Sequence, residues 1–199
     1  MKNSDTLTVL ENFKIHRQSF GWSCGMSCAL MVLEWYGKIG GYDELSLAEF
    51  RKPSAFNPVK FPGGVKPSAT SLRQLIDVFE SVGGFDLYST FDCKDNVAEV
   101  FTLEFVKKTL KRGIPIMIGW KDREVHWQVI IGYDSAGAGE TNNGLIIVAD
   151  PYDDEANRYR DGYGAYDAEH FINNFTFGGF FAAEDLNEMC FLVAVPKQT

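Results

Sequence analysis

Apolar residues crowd every side of the segment 24–35, with Met26, Cys28, Leu30, Met31, Leu33 and Trp35 leaving no polar face. A helix that is apolar all round must be buried, so this pattern predicts a helix running through the middle of the domain, with Gly37 as its stop. Over residues 39–68 glycine and proline recur, which predicts a surface loop region enclosing a short helix near residues 45–50. Helical spacing returns at Leu72, Leu75, Ile76, Phe79 and Val82, opened by Thr70 and Ser71 and stopped by Gly83 and Gly84. It returns again over 102–112, through Leu103, Val106 and Leu110, before Gly113. From there the period becomes extended: 114–120, 126–133, 145–149 and 190–195 read as strands. The acidic, tyrosine-rich segment 153–167 predicts a loop, and 167–175 a short helix.

Helices first and strands afterwards make an α+β pattern, and the short link 134–144 favours antiparallel pairing over a crossover. The expected architecture is a buried N-terminal helix packed on a C-terminal antiparallel β-sheet. It is expected as a single domain over 1–199, with a helical lobe of about 1–112 and a sheet lobe of about 113–199. The 45% hydrophobic content supports a sizeable core. A formal charge of -8 argues against nucleic acid or an anionic membrane as partner. No apolar run reaches the roughly 18 residues of a membrane span, and the first residues lack the apolar centre of a signal peptide. A cytoplasmic protein is therefore expected. The four cysteines (Cys24, Cys28, Cys93, Cys190) have neither a disulfide-scaffold nor a zinc-site spacing, so reduced thiols and no metal or cofactor are expected. Oligomeric state is left open.

The chemistry starts at Cys24, which opens the apolar helix six residues after Gln18. Unpaired N–H groups and the positive dipole end at a helix start favour a thiolate there, and an upstream amide can donate to the oxyanion formed on attack at a carbonyl. A thiol nucleophile needs a base, and the base an orienting group. Of His16, His126 and His170, His126 is best placed, at the start of a strand and directly before Trp127. Asp150 ends the following strand. Neighbouring strands lie about 5 Å apart, so its carboxylate can reach the imidazole, whereas Asp134 sits at the far end of the strand that His126 starts. Cys28, one turn below Cys24, reads as a packed core thiol, and Gly25 as room for a substrate backbone. Asp153, Asp154, Glu155 and Asp161 lack EF-hand spacing and read as a solvated loop.

In Gln18, Cys24-Gly25, the helix ending Trp35-Tyr36-Gly37-Lys38, the run from His126 to Asp134, and Asp150-Pro151, the chain resembles a papain-like cysteine peptidase. More narrowly it is similar to the bacteriocin-leader-processing (double-glycine) peptidase family and its stand-alone bacterial relatives. The resemblance implies a papain-like fold with the cysteine on a central helix and the histidine and aspartate on the sheet. It also implies Gln18 as oxyanion donor, Cys24 as nucleophile, His126 as base and acid, and Asp150 as orienter. Ser23 departs from the acidic residue the family often carries before Cys-Gly, and no peptide-export role is expected. A cysteine peptidase acting on a peptide or protein is the expected function. The alternatives are an acyl-transferring enzyme on the same residues, as in phytochelatin-synthase-like transpeptidases, or a peptide-binding module without catalysis.

Overall fold

The structure is a computed structural model that describes residues 2–3, 6–53, 69–93, 96–121, 125–136, 144–152, 161–175 and 189–198. Among these, α1 (Cys24–Trp35) is the buried helix, with Met26, Cys28, Met31 and Leu33 fully inaccessible. It stops where Gly37 takes φ 65°, which lets the Lys38 N–H reach back to the Leu33 carbonyl at 2.7 Å. That left-handed turn is one an L side chain resists. Then follow α2 (Glu44–Glu49), α3 (Leu72–Val82), α4 (Val97–Val100), α5 (Leu103–Lys111) and α6 (Ala168–Asn174). Each longer amphipathic helix has a capping residue written in the sequence. The Ser71 hydroxyl accepts the Gln74 N–H for α3, the Thr102 hydroxyl accepts the Phe105 N–H for α5, and the Asp167 carboxylate accepts the His170 N–H for α6.

Eight described strands form one antiparallel sheet: β1 (Lys2–Asn3), β2 (Leu7–Val9), β3 (Phe85–Ser89), β4 (Ile116–Lys121), β5 (Val125–Asp134), β6 (Leu145–Ala149), β7 (Tyr163–Asp167) and β8 (Cys190–Pro196). The long strand β5 is its spine. On one edge it pairs first with β4, from Lys121↔Val125 to Ile116↔Ile130, and then with β2, from Val9↔Gly132 to Leu7↔Asp134. On the other edge it pairs with β6, and β7 follows outside. Beyond β4 come β8 and β3. Helix α1 packs on β5, α3 on β3 and β8, and α6 on β6 and β7.

The architecture is α+β with the buried helix on an antiparallel sheet, and the sheet also takes β1, β2 and β3 from the first half of the chain. One expectation is corrected. Within the segment read as a loop, Tyr163–Asp167 is a strand paired residue by residue with β6. It lies at a sheet edge with most side chains half exposed. Its ladder hydrogen bonds hold it, and they leave no hydrophobic alternation to read. Residues 54–68 and 153–160 of the expected loops lie outside the described residues. Among those described, no helix is long and apolar enough to cross a membrane.

At Gly25, α1 packs tightly against Thr70 and against Trp127 of β5. A Cβ there would lie 3.0 Å from Thr70 Cβ and 3.3 Å from Trp127 Cδ1. The space beside Gly25 is thus filled by the chain itself rather than kept for a substrate backbone. Trp127 is fully buried and its indole N–H is tied to the Thr70 carbonyl at 2.7 Å, so neither neighbour can yield cheaply. Overpacking of this kind costs about 1–3 kcal/mol, against roughly 1 kcal/mol that alanine gains over glycine in helix propensity. Gly25→Ala is expected to lower stability by up to about 2 kcal/mol, read as a lower denaturant midpoint with an unchanged slope.

Candidate active site

Helix α1 begins at Cys24, and its capping residue Ser23 does not cap. The Ser23 hydroxyl turns instead to Glu44 Oε1 at 2.7 Å, which also accepts from Ser27 Oγ at 2.5 Å. The Glu44 carboxylate further accepts the Ser19 N–H at 2.9 Å. This buried carboxylate from α2 therefore ties the turn over residues 19–23 to the first turn of α1. The helix's first N–H groups receive no cap from Ser23 and remain directed at whatever sits at the Cys24 end.

The start of β5 brings His126 to that end. The Cys24 thiol lies near enough to raise the proton affinity of the His126 ring, and His126 Nε2 lies 2.6 Å from Asp150 Oδ1. Asp150 follows β6 directly and is held from several sides. Its Oδ1 also accepts the Tyr152 N–H at 2.8 Å, its Oδ2 accepts Gln128 Nε2 at 2.7 Å, and its own N–H donates to the Gly162 carbonyl at 2.7 Å. Tyr152 sets its ring edge-on to His126, with centroids 6.0 Å apart. Burial alone would pull the His126 ring below its ordinary value. The hydrogen bonds and charges of Asp150 and Cys24 outweigh it and push the ring up to about 10.

Cys24, His126 and Asp150 are thus brought to one place at the start of α1. Gln18 is close in backbone terms, its N–H donating to the Pro151 carbonyl at 2.9 Å. Its side-chain amide, however, donates to the Phe20 carbonyl at 2.9 Å, and its Oε1 is buried without a partner. Cys28 is fully buried, its thiol pushed well up by burial and then by Cys24 and Asp150. His16 pairs with Glu34 near the far end of α1, and His170 sits on α6 beside Asn174. Two residues in the site were not expected from the sequence, Glu44 and Gln128. Nothing in a lone glutamate of a loop region marks Glu44. Gln128 carried a readable signal, two residues after His126 and so on the same face of the strand. Among the described residues, no group of three or more His, Cys, Asp or Glu side chains could hold a metal ion.

A family model described as the Peptidase_C39 like family matches residues 10–179, which takes in α1, β5, Asp150 and everything between. The chain belongs to the C39-like peptidase family. Solved structures agree on the fold. A Bacillus anthracis protein described as a C39-like peptidase superposes with a TM-score of 0.62 at 15% identity, covering 98% of this chain and 100% of that one. The peptidase domain of Streptococcus ComA, a bifunctional ABC transporter involved in a quorum-sensing pathway, does so with a TM-score of 0.51 at 17% identity, covering 94% and 100%. Among curated proteins none matches the chain in sequence. The fold of this C39-like chain is therefore the papain-like one, and Glu44 fixes the start of the helix that Cys24 opens.

Replacing Glu44 by alanine would leave the buried Ser27 hydroxyl without its acceptor, while the Ser23 hydroxyl keeps the Phe20 carbonyl at 3.0 Å and the Ser19 N–H lies on an exposed residue. A buried group so stranded costs about 1–3 kcal/mol before relaxation or water entry. Glu44→Ala is expected to lose about 1–3 kcal/mol of stability, measured by chemical denaturation, whereas removal of the exposed Lys108–Glu104 pair should change it by less than about 0.5 kcal/mol.

Proposed function

We propose that this C39-like protein is a cysteine peptidase that hydrolyses peptide bonds of a peptide or protein substrate. Cys24 is the nucleophile, His126 the acid and base, and Asp150 the group that orients the ring. The observation that supports this reading best is the His126 ring held at 2.6 Å by Asp150 Oδ1 and influenced by the Cys24 thiol at a helix start that Ser23 leaves uncapped. A buried histidine kept for packing would not need a carboxylate held by two further N–H donors.

In this mechanism the Cys24 thiolate attacks the scissile carbonyl carbon, and the carbonyl oxygen becomes an oxyanion beside the Cys24 N–H. Gln18 supplies the second donor, through the amide N–H not engaged by Phe20. The imidazolium of His126 gives its proton to the departing amine, leaving a thioester on Cys24. Neutral His126 then takes a proton from water, the hydroxide attacks the thioester, and the acid leaves as the ion pair re-forms. Asp150 favours the imidazolium throughout and fixes which nitrogen faces the thiol. The protein is proposed to act in the cytoplasm, on reduced thiols.

Incubation with a mixture of short synthetic peptides, read by mass spectrometry, tests the proposal. Cleavage is expected from the intact chain, and Cys24→Ala should lower kcat/KM at least about 1,000-fold; equal cleavage by both would overturn it. The pH dependence has a definite sign. His126 is the cation below its midpoint, which is raised to about 10, so kcat/KM should hold through neutral pH and fall only as pH passes about 10. Asp150→Ala removes a partner that favours the cation, and the alkaline fall should move towards the ordinary histidine value of 6.5.

A further inference from the structure

The register of β5 and β6 sets a problem for Asp150. Ala149 pairs with Val129, so the next residue, Asp150, comes level with Gln128 rather than with His126. Its carboxylate therefore faces Gln128 squarely and must turn one oxygen along the strand to meet the ring. A carboxylate on a single Cβ–Cγ bond rotates freely unless both oxygens are held. Here Oδ1 meets His126 and the Tyr152 N–H, and the Gln128 amide is the side-chain donor that holds Oδ2.

Which end of that amide faces Asp150 is decided by its other neighbours. An indole N–H can only donate, and Trp120 Nε1 lies 2.8 Å from Gln128 Oε1. That leaves the NH2 end for Asp150, at 2.7 Å, and for the Tyr166 hydroxyl, at 3.0 Å. Trp120 is itself fixed by pairing with His126 across β4 and β5. It stands edge-on to Tyr166, with centroids 4.9 Å apart, and to Phe171, at 5.0 Å. Gln128 is buried and every hydrogen-bonding position of its amide is used. The reversed amide would set an oxygen against the carboxylate and an NH2 against the indole N–H.

We propose that Gln128 is a positioning residue, whose amide, oriented by Trp120 and Tyr166, locks the Asp150 carboxylate in the rotation that presents Oδ1 to His126. Its functional meaning rests on the peptidase reading, but the lock itself is a property of the His126–Asp150 contact. The described groups facing His126 are Cys24 from α1 and, from the turn after β6, Asp150 and Tyr152. Only Asp150 among them is touched by Gln128. Without the amide the carboxylate turns away for part of the time and supports the imidazolium less.

The test is the titration of His126 followed by NMR in protein labelled at histidine, for the full chain and two variants. Gln128→Met keeps the volume and removes the amide. Trp120→Phe with Gln128→Met also removes the indole N–H that would otherwise be stranded, so it folds where the single variant does not. The His126 midpoint should fall from about 10 by at least about 1, a tenfold or greater loss of proton affinity. Thermal unfolding of the same samples shows any packing loss separately, since a purely structural glutamine would lower the melting temperature and leave the titration in place. An unchanged midpoint in either folded variant overturns the proposal, and so does failure of both to fold, which would make the amide a core support. Failure of the peptidase reading looks different: no peptide is cleaved by the intact chain, while His126 still responds to Gln128.

Discussion

The approach of α1 to β5 at Gly25 is the constraint on which the site depends. The side chains of Thr70 and Trp127 stand 3.0 to 3.3 Å from where a Gly25 side chain would begin, and one as small as alanine's would have to push them aside. Because Cys24 precedes Gly25 and His126 precedes Trp127, this one contact sets the thiol against the ring. Packing density does what a flexible loop could not, since the interior tolerates displacements of only a fraction of an ångström. Cys24 and His126 each adjoin a residue packed in this buried contact.

Around that contact, polar groups are arranged in two supports that do not overlap. Glu44 fastens the turn before Cys24 to the helix that follows it, using two hydroxyls and an N–H. Asp150 fastens the ring from behind and is itself held from the turn after β6 and from β5. Glu44 is satisfied by neutral donors alone, which hold a carboxylate in place without a counter-ion whose own desolvation would have to be offset. Asp150 combines two neutral N–H donors with the His126 ring, whose proton affinity it raises.

The buried helix, the capped amphipathic helices and the central strands are legible in the sequence because apolar periodicity and capping residues agree there. β7 is not, since an edge strand of tyrosine, glycine and alanine relies on backbone pairing and leaves no alternating pattern. β1 and β2 are too short to show any period. In the site, Cys24, His126 and Asp150 stand out because each occupies an element end where a packing role fits poorly. Glu44 and Gln128 act through partners 17 to 25 and 22 residues away, and spacing along the chain carries no trace of such pairings. The contacts of Gln18 with Phe20 and Pro151 are likewise visible only in three dimensions.

The central claim is that His126 makes Cys24 a nucleophile, and the most direct measurement is the rate at which iodoacetamide alkylates Cys24 at pH 6. Peptide mapping assigns the labelled cysteine, and the fully buried Cys28 and Cys190 serve as internal references. In the intact protein Cys24 should react at least about tenfold faster than in His126→Ala, because only the intact chain offers an imidazolium to the thiolate. Equal rates in two folded proteins would contradict the account.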